Sequence, residues 1–268
     1  MVEQSAVDVA AHYALGLEAD RLDEPLGVVE FVRTAEIVER VLPPAPATVA
    51  DIGGGPGRYA LWLADRGHQV VHRDLVPLHV DQLRAAGHPH ITTDVGDARA
   101  LDLDDGSADV VLLLGPLYHL YEREERVRAL RESARVARPG APVLVSAISR
   151  WAPRLHGYLT EKLYERVPTM ADVVDRVETD GRLVPFWDAG FAAYCHTPAE
   201  LREEASAAGL VVEDLAGVEG LAFAFPDLGD RLADPAGRAA LLDSARAVER
   251  IPDLLGLSPH LVLTARRP

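Results

Sequence analysis

Asp51-Ile52-Gly53-Gly54-Gly55-Pro56-Gly57 is the stretch whose reading decides the fold. The apolar run Thr48 to Ile52 before it reads as a buried strand, and Arg58 to Asp65 after it as a helix that Gly67 terminates. Glycines at 53, 55 and 57 let backbone turn tightly and approach a ligand without a Cβ in the way. A strand ending in a carboxylate, such a turn and then a helix N-terminus together make a nucleotide-binding corner at the carboxyl edge of a parallel sheet.

Outward from this corner the chain alternates short apolar runs with longer amphipathic ones, the rhythm of βα units. The spacing predicts strands over Gln69 to Arg73, His90 to Thr93, Ala108 to Leu114, Pro142 to Ala147, Leu210 to Val218 and Leu261 to Ala265. Helices are expected over His79 to Ala86, Glu122 to Ala137, Pro198 to Ala208 and Ala236 to Arg250. The fold class is therefore α/β: a Rossmann-like, doubly wound, mostly parallel sheet of seven strands. Residues 1–45 read as an N-terminal helical cap, with Thr34 capping a helix over Ala35 to Leu42. Residues 46–148 form the cofactor-binding core, 149–195 an aromatic-rich helical lid with the acceptor pocket, and 196–268 the remainder of the sheet.

Composition narrows the chemistry. A formal net charge of −15 over 268 residues argues against gripping a phosphate backbone, so no nucleic-acid partner is expected. The single Cys195 excludes an intrachain disulfide and starves a Cys-based zinc site, so no metal is expected. No signal peptide or membrane-length apolar run is evident, and a cytoplasmic location without membrane attachment is expected.

The turn itself discriminates between cofactors. A dinucleotide fingerprint, G-x-G-x-x-G, would need a third glycine where Arg58 stands. A pyrophosphate would be repelled by Asp51, whereas a ligand bearing an ammonium and a sulfonium would tolerate or use it. Asp74 closes the second strand 23 residues after Asp51, the distance expected for a side chain that hydrogen-bonds ribose hydroxyls. Asp97, in Gly96-Asp97-Ala98, follows the third strand and can accept from an adenine amine.

Taken in order, Asp51 to Tyr59, the Asp74-Leu75 pair, Gly96-Asp97-Ala98 and the strand Ala108 to Leu114 resemble the successive motifs of class I S-adenosylmethionine-dependent methyltransferases. Val29 to Thr34, Leu114 to Leu120 and Ala147 to Arg150 resemble a bacterial, actinomycete-like subgroup acting on small molecules. The resemblance implies that Asp51 with Gly53, Gly54 and Gly55 holds the methionine portion, Asp74 and Leu75 the ribose, and Asp97 and Ala98 the adenine. Leu114, ending the fourth strand, would pass under the methyl donor. The implied cofactor is S-adenosyl-L-methionine, with S-adenosyl-L-homocysteine as product and a small organic molecule as acceptor, possible alternatives being a regulatory cofactor-binding protein or an S-adenosylmethionine enzyme that does not methylate.

Methyl transfer is an in-line displacement that positioning can largely catalyse, so a general base is optional. His119, after the fourth strand, is the candidate base if the acceptor must lose a proton, with Tyr118 beside it. Both residues are equally compatible with packing at the start of a helix. In the cap, Tyr13 and Arg33 are candidates to close over the cofactor, as are Glu18 and Arg21, whose other reading is a solvated helix face. Arg150, Tyr158, Tyr194 and His196 are candidate acceptor contacts; structural pairing or ordinary lid packing is the competing reading for each.

Overall fold

The structure, a computed structural model, describes residues 13, 18, 20–185 and 192–268. Helix α1 spans Pro25–Glu39, then β1 Thr48–Ile52, α2 Arg58–Ala64, β2 Gln69–Asp74, α3 Pro77–Ala86, β3 Ile91–Val95 and β4 Val110–Leu113. Helix α4 spans Arg123–Val136 and β5 Pro142–Ser149. A π-helical stretch Pro153–Thr160 and α5 Met170–Asp180 lead to the short strands β6 Arg182–Leu183 and β7 Ala193–His196. Helix α6 Pro198–Ala207, β8 Val211–Gly217, α7 Leu228–Ala233, α8 Pro235–Val248 and β9 His260–Arg266 complete the chain.

The main sheet runs β3-β2-β1-β4-β5-β9-β8, parallel up to β5, with β9 antiparallel to both neighbours. These are the seven strands that the spacing predicts. The described residues contain nine, because β6 and β7 form a small antiparallel ribbon. Ile148 pairs with His260 on one edge and Cys195 on the other, so the ribbon extends β5 beyond the end of β4. Strands of two and four residues leave no long apolar run in the sequence, which is why the ribbon was not anticipated.

Successive side chains of a strand face opposite ways, and here both faces are covered. Val111 and Leu113 of β4 join Val143, Val145 and Leu263 against Leu130 of α4 and Leu201 of α6. Val110 and Leu112 join Val70 and Leu144 against Val38 of α1, Leu63 of α2 and Leu83 of α3. All four β4 side chains are buried completely. Each such side chain contributes about 1.5–3 kcal/mol on burial, which is why a continuous apolar run marks the central strand.

Helix α1 begins at Pro25 and runs unbroken through Thr34, so Thr34 is not an N-cap. Its fixed φ suits proline to the first helical turn, while Val29, Ile37 and Val38 supply an apolar stripe that continues past Thr34. C-terminal helices hold α1 in place: Val29 packs with Ala222, Leu228, Leu241 and Leu242. Among the described residues, no helix is long and apolar enough to cross a membrane.

Beneath β7, Arg126 of α4 donates to Glu204 of α6 from Nη2 at 2.7 Å and from Nε at 2.9 Å. Arg126 also donates to the Leu120 and Tyr121 carbonyls and lies 3.5 Å from the centre of the Tyr194 ring. Burial pushes the Glu204 carboxyl up, but hydrogen bonds from His196 and Arg126 outweigh it and bring it to about 2. Removing one partner of a buried pair strands the other, so Glu204→Ala should cost about 3–5 kcal/mol in urea unfolding. Because the folded carboxyl titrates below its ordinary value of 4.5, this stabilisation is present above pH 4.5 and is lost as pH falls towards about 2. Acid unfolding of Glu204→Gln should accordingly be less steep through that window than that of the wild type.

Candidate active site

The sheet order reverses between β2-β1 and β4-β5, and in such folds ligands bind outside the carboxyl ends of the strands at this point. The glycine turn leaves β1 there. Gly53 has φ +66°, and a Cβ on it would stand 2.4 Å from Cγ of Pro116, in the short helical turn Pro116–His119 that follows β4. Backbone alone fits between the two strand ends.

Gly54 roofs Asp51 in the same manner: a Cβ there would meet an Asp51 carboxylate oxygen at 2.4 Å and His72 at 2.7 Å. Asp51 is fully buried, and neither carboxylate oxygen has a hydrogen-bond partner among the described residues. Burial first, and the charge of Asp74 second, push its pKa up to about 7. His72 braces the turn, with Nε2 3.1 Å from the Gly55 carbonyl and Nδ1 2.8 Å from the Thr93 hydroxyl.

Asp74, at the tip of β2, accepts the Gly55 N–H on Oδ2 and the Val76 N–H on Oδ1, both at 2.8 Å. Burial raises its pKa, but hydrogen bonds from His79, Val76 and Gly55 outweigh that effect and hold the carboxyl below the ordinary carboxylate range. Asp97 is gripped by Arg99, whose Nη2 donates at 2.7 Å. Leu75, Val76, Asp97 and Ala98 continue the wall that Gly53, Gly54 and Gly55 begin, and Leu114 stands at the end of β4.

At the other end of the crevice, the Tyr13 hydroxyl lies 2.8 Å from His119 Nε2. The Tyr13 ring meets His119 and His79 edge-on, each with centroids 5.3 Å apart, and Tyr118 stacks edge-on against His119 at 4.7 Å. Burial raises the pKa of Tyr13 and of Tyr118, so both hydroxyls remain protonated at neutral pH. Glu30 and Thr34 of α1 form the facing wall. Arg21 clamps Glu30 through Nη1 at 2.6 Å and Nη2 at 3.0 Å, and donates from Nε to Glu18 at 2.7 Å. Behind Glu30, His260 Nδ1 is 2.5 Å from Glu219 and 3.7 Å from Glu30. Burial lowers the His260 pKa, but these two carboxylates more than reverse that and bring it to about 9. Glu30, Glu219 and His260 lie close enough together to surround a cation, yet Arg21 and the protonated His260 already balance the acids.

The crevice thus gathers Tyr13, Gly53, Gly54, Gly55, Asp74, Leu75, Asp97, Ala98, Leu114, Tyr118 and His119. It does not gather Asp51, which lies beneath the turn, or Arg33, which is completely buried and spans Glu36 and Glu249. Nor does it gather the four candidates for the acceptor. Arg150 donates to the Cys195 carbonyl at 2.8 Å and to Glu200 at 2.6 Å, Glu200 being the carboxylate that closes the Thr197 capping box of α6. Tyr194 and His196 are buried in the Arg126–Glu204 network, and Tyr158 packs on Tyr164. Phe186, Trp187 and Phe191, counted in the expected lid, lie outside the described residues.

Sequence reasoning passed over Glu30, Thr34, Tyr59, His79, Arg99 and Ser146, all on the crevice wall. Glu30 and Thr34, four apart on α1, share a helix face, the one signal that was available for them. His79 sits five residues after Asp74, within reach from the first turn of α3.

Two outcomes follow from this geometry. Gly53→Ala should lower stability by about 1 kcal/mol or more in thermal unfolding, since φ and contact are both wrong for a Cβ. His260 has a folded pKa raised from 6.5 to about 9, so its contribution is complete below about pH 6.5 and lost as pH rises through 9. Thermal midpoints recorded from pH 6.5 to 9.5 should fall more steeply for the wild type than for His260→Gln.

Residues 49–140 match the family model described as a methyltransferase domain. An uncharacterized methyltransferase of Mycobacterium tuberculosis is 38% identical over 105 residues, 39% of this chain and 41% of that protein. Methyltransferase GfsG of Streptomyces halstedii is 30% identical over 143 residues, 51% of this chain and 50% of its own length. The chain thus spans about half or less of the length of these relatives. A crystal structure of a SAM-dependent methyltransferase from Methanosarcina mazei superposes with a TM-score of 0.59 at 19% identity, covering 86% of this chain and 96% of that one. A glycine turn bare of Cβ atoms, an ionised acid at the tip of β2 and a second acid after β3 all lie within residues 49–140, the stretch that matches the methyltransferase-domain model, and the sheet around them has the fold of solved SAM-dependent methyltransferases.

Proposed function

We propose that the protein transfers a methyl group from S-adenosylmethionine to a small organic acceptor. The observation that carries this reading is one continuous crevice in which the glycine turn, Asp74 and Asp97 share a wall with Tyr13, Tyr118 and His119. Asp74, Asp97 and the bare turn suit the ribose, the adenine and the methionine portion. Tyr13, Tyr118, His119 and the α1 wall with Glu30 and Thr34 surround the other end, where the acceptor would lie. Asp51, buried beneath the turn with its pKa pushed up to about 7 by burial and by Asp74, would have its ionised form favoured by a cationic ligand above it. When bound, the cofactor supplies an electrophilic methyl carbon on an excellent leaving group.

The work left to the chain is orientation and proton handling. Tyr13 is too weak an acid to ionise, but it can accept a proton from the acceptor while passing its own to His119 Nε2. Tyr13 then ends neutral and His119 carries the added charge. The small-molecule reading is supported by the α1 residues Glu30 and Thr34 on the crevice wall, and the net charge of −15 disfavours nucleic acid.

Isothermal titration should show S-adenosylhomocysteine binding to the wild type and at least about tenfold weaker binding to Asp74→Ala, whose carboxylate makes charge-assisted hydrogen bonds. No heat with the wild type would refute the cofactor assignment. With a turnover-competent acceptor, His119→Ala should reduce kcat by about 10²–10⁴ and flatten the acid limb of its pH profile. An unchanged profile would remove His119 from the proton path.

A further inference from the structure

Asp74 is a crowded acceptor. Oδ1 takes the Val76 N–H at 2.8 Å and faces His79 Nδ1 at 3.1 Å, while Oδ2 takes the Gly55 N–H at 2.8 Å. A carboxylate oxygen offers two lone pairs, so Oδ1 is filled and Oδ2 retains one. A ligand presenting two adjacent hydroxyl donors, as a ribose cis-diol does, finds only one acceptor left on this acid.

The next polar atom on that wall belongs to His79. The residue is 3% exposed and lines the crevice, yet its Nε2 is buried without a hydrogen-bond partner among the described residues. Nδ1 faces a carboxylate that is held ionised, and an ionised carboxylate only accepts, so the N–H of this contact sits on Nδ1 and that tautomer leaves the lone pair to Nε2. Nε2 is then a bare lone pair. An unmatched buried acceptor costs about 1–3 kcal/mol, which a ligand donor would relieve. The ring has little freedom to seek another partner. His79 lies in the first turn of α3, two residues after Pro77, and the Tyr13 ring stands against it at 5.3 Å and 65°.

We propose that His79 is a cofactor-contacting residue: with Nδ1 tied to Asp74, its Nε2 accepts a hydrogen bond from one ribose hydroxyl, dividing the cis-diol with Asp74 Oδ2. The inference rests on the S-adenosylmethionine reading and adds to it a contact made by an imidazole rather than by the acid alone. Tyr13 gains a second part, since its ring supports the histidine at the ribose as well as bonding to His119 at the reacting end.

The test is a cycle between protein and ligand, read as binding. Wild type and His79→Asn are each titrated with S-adenosylhomocysteine and its 2′-deoxy and 3′-deoxy analogues. Asparagine preserves an amide donor for Asp74 but removes the acceptor at the Nε2 position. The variant should bind S-adenosylhomocysteine about tenfold more weakly, in line with one hydrogen bond lost from a buried site. One of the two deoxy analogues should bind the two proteins equally. If both analogues lose the same factor in both proteins, the contact does not exist.

Should the variant fold poorly, wild-type protein with ¹⁵N-labelled histidine supplies an independent reading. The unprotonated Nε2 resonance of His79 should move upfield as S-adenosylhomocysteine saturates, and a resonance that stays in place at saturation overturns the proposal. Failure of S-adenosylhomocysteine to bind the wild type at all would instead defeat the cofactor reading itself, a different outcome from binding that ignores His79.

Discussion

The close approach of Gly53 to Pro116 is the constraint on which the site depends. It brings the turn after β1 against the turn after β4, at the place where the strand order reverses, and it closes only if no Cβ intervenes. Once the two turns are in contact, Gly55 N–H reaches Asp74 across from β2, and three successive strand ends become one wall. Leu114, Tyr118 and His119 enter the crevice because Pro116 starts a tight helical turn directly after β4. The glycine turn and the β4 turn hang from β1 and β4, strands buried on both faces, as the stability of the fold requires.

Charge is the second organising factor. An ion removed from water survives in a protein when hydrogen bonds and opposite charges replace its hydration. Asp74 meets that condition with two backbone amides and His79, and it stays ionised. Asp51 does not, and its pKa rises to about 7. On the far wall, Glu18, Arg21, Glu30, His260 and Glu219 form an alternating chain that ties the residues before α1 to β9. Glu204, between Arg126 and His196, plays the corresponding part below β7, where it joins α4 to α6. The two networks do different things, since the first faces the crevice and the second is sealed from it.

The sequence by itself determined whatever depends on neighbours along the chain. The apolar run Val110 to Leu113 had to be a strand covered on both sides, and the capping of α6 by Thr197 was written beside Pro198. The spacing of Asp51, Asp74 and Asp97 over the first three βα units pointed to a sulfonium cofactor, because strand ends in a parallel sheet share one edge. Tertiary structure decided which polar side chains face the crevice. Arg33 and Arg150 were legible as arginines near strand or helix ends, but their carboxylate partners lie 216 and 50 residues away, and those pairings drew them into the interior. His79 and Glu30 were silent for the converse reason: nothing local distinguishes a helix residue that faces a ligand from one that faces solvent. Only the docking of α1 and α3 against the strand edge settles that, because it fixes which face of each helix water can reach.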